Sequence, residues 1–77
     1  TMTRTYYECL NDSGLPATPR QRAALGTPAY GYSSRIRAEL ACPAGCNVVE
    51  RHTDGCNDWS GNVVSSRLSD GTLQRYA

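Results

Sequence analysis

Three of the four cysteines, the only histidine and the only tryptophan fall in one stretch, ACPAGCNVVERHTDGCNDW, from Ala41 to Trp59. Thiols and an imidazole at that density support two chemistries. Cys42, Cys46, His52 and Cys56 together supply three sulfurs and one nitrogen, the donor set of a tetrahedral zinc ion. The alternative is oxidative pairing, with Cys9 as the fourth thiol. Pairing uses an even count completely, whereas a zinc site leaves Cys9 idle. Two disulfides are therefore expected, with no metal and no cofactor. A direct Cys42–Cys46 bridge would close a very small ring, so Cys9 should take one of that pair and Cys56 the other. Bridges of this kind persist outside the reducing cytosol, which points to a secreted protein.

Catalytic groups are sparse by comparison. His52 is the only imidazole, and the chain has neither a nucleophile-elbow pattern nor a glycine-rich phosphate loop. The one pairing with catalytic character is Glu50 with His52, two residues apart and so on one face of a strand. Arg35 or Arg37 could steady a phosphate beside them, as phosphodiester cleavage would need. An ordinary solvent-facing pair explains the same spacing. Asp54 and Asp58 suit a turn and a cap better than acid/base work. For binding, Tyr30, Tyr32, Arg35 and Arg37 lie close in sequence and are of the types that carry interface energy. His52 and Trp59 join them as candidates, the tryptophan being either the main core aromatic or a displayed anchor. Asn11-Asp12-Ser13 matches the N-glycosylation acceptor pattern, and also reads as a plain turn.

The elements that must position these groups follow from local pattern. Residues 3–10 alternate and are rich in β-branched and aromatic types, which predicts a strand with Cys9 on the side of Thr5 and Tyr7. Thr18-Pro19-Arg20-Gln21 has an N-cap, proline at the first helical position and glutamine three after the cap, so a helix is predicted over 19–25, ended by Gly26. Gly26 to Tyr32 reads as a loop lifting Tyr30 and Tyr32 outward. Over 34–42, Ile36, Ala38, Leu40 and Cys42 alternate with Arg35, Arg37 and Glu39. This predicts a second strand, joined through Pro43-Ala44-Gly45 as a hairpin to a third over 47–53. Asp70-Gly71 marks a turn before a strand over 72–76. Between them, 59–69 fits either a further strand or a helix, and the helix would give the split β-α-β order.

A chain of 77 residues is one domain, 1–77, and buries only about 60% of the surface its unfolded form exposes. With no phenylalanine and one methionine, its interior needs covalent help. The eight basic residues are all arginine, spread along the chain against seven acidic ones. A net charge of +1 disfavours a nonspecific nucleic-acid binder. No apolar run is long enough to span a membrane, and a secreted form would be the mature chain after removal of its signal peptide. The Cys42-Pro43-Ala44-Gly45-Cys46 run resembles the opening of extracellular LCCL modules, which also carry disulfides; the likeness covers five residues and none of that module's function transfers. The thiol and imidazole gaps depart from the compact zinc knuckle. In size and element order the chain is similar to small secreted fungal killer toxins and plant-pathogen effectors. The expectation is therefore an α+β, mainly antiparallel, disulfide-stabilised binding protein of toxin, effector (virulence) or inhibitor type, directed at a host or competitor protein or cell surface. The alternatives are an intracellular zinc-binding module touching nucleic acid and a small ribonuclease-like enzyme.

Overall fold

The computed structural model describes residues 4–53 and 59–76, with the backbone alone at Trp59 and Ser60. Six elements follow in order: β1 (Arg4–Leu10), α1 (Pro19–Ala24), α2 (Arg35–Ala41), β2 (Asn47–Thr53), β3 (Trp59–Arg67) and β4 (Leu73–Arg75). The strands form one antiparallel sheet in the order β1-β2-β3-β4, so the chain is a meander with both helices inserted between its first two strands. The α+β, disulfide-stabilised class read from the sequence is the class found.

The local signals of β1, α1 and β2 act as anticipated. The Thr18 hydroxyl accepts from the Gln21 amide and caps α1 behind Pro19, and Gly26 turns the chain at φ 82°. In the 59–69 segment the valines and serines prevail over the helical spacing. The segment is strand β3, and the split β-α-β order is excluded.

The segment 34–42 overturns its prediction: it is helix α2, not a strand, and Pro43-Ala44-Gly45 joins a helix to β2 instead of closing a hairpin. Seven residues are short enough to fit both periods. Composition and capping decide: arginine, alanine, leucine and glutamate favour helix, and Ser34 Oγ accepts from the Arg37 amide. Helical geometry also redraws the faces, keeping Ala38 and Cys42 inward as the alternation had them but exchanging Ile36 and Leu40 for Glu39. Ala38, Glu39 and Cys42 turn inward, while Ile36 and Leu40 are 62% and 80% exposed.

The register pairs Cys9 with Val48, Tyr7 with Glu50 and Thr5 with His52. These residues therefore share the sheet face on which α2 packs. The core gathers Cys9, Tyr32, Ala38, Cys42, Cys46 and Val48, with Tyr7, Ala17 and Val64 against it. Between Val48 and Val49 the β2–β3 register steps over Val64, a bulge whose carbonyl accepts from the Tyr76 amide and from Arg35 Nη2. The outer margin of β1 is bonded by its own chain. Tyr7 exchanges both backbone bonds with Tyr32, the Cys9 carbonyl accepts from the Ala17 amide, and the Cys9 amide donates to Gln21 Oε1.

One ionic knot ties α2 to the C-terminal strands. Glu39 is 4% exposed and accepts from Arg35 Nε at 3.0 Å, Arg75 Nη2 at 2.6 Å and the Ser65 hydroxyl. Arg67 Nη2 donates to the Glu39 carbonyl at 2.6 Å. Burial alone would raise the Glu39 carboxyl; the bonds from Arg75, Ser65 and Arg35 outweigh it and hold the group down at about 2.

Candidate functional site

Cys9 and Cys42 are bridged, with Cα atoms 5.5 Å apart. Cys46 is buried beside them, the three sulfurs lying within 4.8 Å of one another. Burial, followed by the charge of Asp12, pushes the Cys46 thiol up. Cys46 has no disulfide partner among the described residues. Cys56, its expected partner, lies outside them, as do Asp54, Asp58 and the side chain of Trp59. Among the described residues, the sulfurs of Cys42 and Cys46 lie together but His52 does not join them. Cys42 is taken by Cys9, and His52 stands six residues along from Cys46, about 20 Å at strand rise.

His52 instead belongs to a cross-strand row. Its Nε2 meets Glu50 Oε1 at 2.7 Å, and its Nδ1 lies 3.1 Å from Thr5 Oγ1. The two ring nitrogens thus bridge the Glu50 carboxylate on the same strand and the Thr5 hydroxyl across the ladder. Tyr7 joins from the inner side: burial first, then the charge of Glu50, raises its phenol. The Glu50–His52 pairing read from the sequence is present. Of the two arginines expected to steady a phosphate there, Arg35 is held by Glu39, Ser65 and the Val64 carbonyl instead of projecting outward.

Thr5 also borders a groove of about 550 Å³ where the start of β1 meets the 27–33 loop. Tyr6, Tyr30 and Tyr32 wall it, with Arg4, Pro28 and Ser33 around the opening. Tyr30 is fixed there because its hydroxyl donates to Glu8 Oε2 at 2.7 Å, while Arg51 Nε holds Glu8 Oε1 at 2.9 Å. Burial, reinforced by Glu8, pushes the Tyr6 phenol up to about 12 and that of Tyr30 higher still. Both therefore remain neutral donors at ordinary pH. Gly31 is required at this wall, since a Cβ there would fall on the Tyr6 ring.

Tyr32 departs from expectation. It is buried in the core instead of being lifted on a loop, and its hydroxyl pairs with Thr18 Oγ1 at 2.8 Å. Arg20 lies over its ring, 4.4 Å from the centroid. Of the sequence-derived candidates, the fold brings Tyr30 and Tyr32 to the groove and puts His52 behind its Thr5 wall. Arg37 stands on α2, and Arg35 is drawn into the Glu39 knot. Asn11 Oδ1 accepts from the Ser13 and Leu15 amides, an Asx turn on an exposed loop.

Sequence reasoning missed Arg4, Tyr6 and Arg20. Period-two reading of β1 already set Arg4, Tyr6 and Glu8 on the face opposite Cys9, and that was the available signal for a tyrosine beside an acid. No protein-family model, curated protein or solved structure matches the chain.

Proposed function

We propose that the chain is a small secreted binding domain of toxin, effector or inhibitor type that recognises a host or competitor protein or cell surface through the tyrosine groove. One observation carries this reading: three tyrosines converge on a concave surface, and the Glu8–Arg51 pair and Gly31 fix its geometry before any ligand arrives. Tyrosine supplies large, amphipathic contact area with little rotamer entropy to lose, and a preformed site reduces the cost of ordering on binding. The Cys9–Cys42 bridge supports the extracellular assignment.

The test compares biotinylated wild-type protein with Tyr30→Ala and Arg4→Glu variants on a panel of extracellular proteins and intact cells. At least one target should be retained by the wild type and lost by both variants. Equal retention by all three, or none across the panel, would sink the reading. Intact mass after denaturing alkylation without reductant should show Cys9 and Cys42 unlabelled.

The Thr5–His52–Glu50 row favours a second reading, a small ribonuclease-like enzyme. It requires that the wild type cleave a fluorogenic RNA and that His52→Ala abolish the cleavage while leaving the fold intact. An inert wild type ends it.

A further inference from the structure

The tyrosine groove does not stand alone. A second cavity of about 470 Å³ lies where Arg20 of α1 faces Arg37, Leu40 and Ala41 of α2, and Tyr32 and Ser33 border both cavities. Arg20 is held in place by stacking on Tyr32 and by donating from Nη1 to the Gly31 carbonyl at 3.1 Å. The Arg37 side chain makes no hydrogen bond or ion pair among the described residues.

The charges around these cavities are one-sided. Arg4, Arg20 and Arg37 line them, while no aspartate or glutamate among the described residues borders either. Of the five other arginines three meet acids: Arg35 and Arg75 bind Glu39, and Arg51 binds Glu8. A chain of nearly balanced charge thus gathers three arginines, and no acid among the described residues, at its concave surface. Beside Arg37, Ile36 and Leu40 stand exposed on α2, adding an apolar lip.

We propose that the two cavities form one bipartite docking site for an acidic peptide segment of a partner protein. Its aromatic or aliphatic side chain fills the tyrosine compartment, and an aspartate or glutamate carboxylate beyond Ser33 is gripped between Arg20 and Arg37. This inference rests on the binding function proposed above and names its partner class. Planar guanidinium groups match carboxylates in a forked geometry, and Arg20 is already oriented. The apolar lip favours a peptide over nucleic acid, whose backbone would call for a longer basic track.

The probe is a random dodecapeptide library displayed on phage, selected on the oxidised protein at low salt, with the best peptide then synthesised. Arg37 is the residue to change, because it is exposed and supports nothing else; circular dichroism checks the fold of each variant. Selected peptides should carry Asp or Glu within a few residues of Leu, Tyr, Phe or Trp. The synthetic peptide should lose about tenfold in affinity with Arg37→Ala and more with Arg37→Glu. Peptides without acidic bias, or peptides weakened by Tyr30→Ala yet indifferent to Arg37→Ala, overturn the acidic-peptide inference while leaving the groove standing. Peptides indifferent to both substitutions, or no enrichment at all, overturn both. A ten-nucleotide oligouridylate that outbinds the best peptide with the same Arg37 dependence also overturns the inference.

Discussion

The two ends of β2 are built differently. Near Asn47 and Val48, side chains are locked from several directions: the Cys9–Cys42 bridge, the buried Cys46, the bulge at Val64 and the Glu39 knot lie together. Toward Thr53 the same sheet carries polar and aromatic groups half open to solvent, with His52 at 40% exposure beside Thr5 and the tyrosine groove. The contrast shows how a chain with a thin apolar interior keeps a concave surface. Covalent and ionic ties concentrated at one end hold the sheet, and the other end is left to display side chains.

The largest effect should come from breaking the bridge. Cys9→Ala with Cys42→Ala is expected to cost about 2–5 kcal/mol, seen as a large fall in melting temperature by circular dichroism. If the melting temperature hardly moves, the locked end is not what holds the fold. Next comes Glu39→Gln, which removes the negative charge and one of the two oxygens that Arg35, Arg75 and Ser65 share. A loss of about 3 kcal/mol in urea unfolding is expected.

The same carboxyl sets an acid limit. Its folded value of about 2 lies below the ordinary 4.5, so its stabilisation is fully present above pH 4.5 and is lost as pH falls from there toward 2. The loss should approach about 2–3 kcal/mol, and Glu39→Gln should flatten that limb of the stability curve. Unchanged acid dependence in the variant would assign the limb to other groups. At the open end the effects shrink. Tyr30→Phe removes one hydroxyl bond to Glu8 and should cost about 1–2 kcal/mol. His52→Gln should move stability by less than about 0.5 kcal/mol. A larger loss at His52 than at Glu39 would reverse the comparison.

The same division governs what could be read in advance. β1, α1 and β2 were legible because each carries a signal that acts over a few residues: alternation in Thr5, Tyr7 and Cys9, the cap at Thr18, and the turn at Gly45 just ahead of the paired valines Val48 and Val49. α2 was not, because Arg35 to Ala41 satisfies period two and period 3.6 alike. The cap at Ser34 favours the helix locally, and the contacts that then hold α2 in place, Glu39 with Arg75 and Cys42 with Cys9, come from residues far along the chain. Reading Glu39 as an outward strand residue hid the knot, since an acid on an alternating pattern looks solvated until its arginines arrive. The partner of Cys9 was narrowed to Cys42 or Cys46 and no further, because both sulfurs end beside it. The groove was half visible: Tyr30 and Tyr32 were singled out, but Tyr6 and Arg20 reach them only through the loop that folds back along β1.

That loop has a further consequence. A strand at the margin of a sheet invites a strand from another molecule to add beside it, the step from which fibrils grow. In this protein Ala17, Gln21 and Tyr32 already occupy the bonding positions of Tyr7 and Cys9. Lateral growth from β1 must first strip away the segment that also walls the groove, so recognition and resistance to self-association depend on the same stretch of chain.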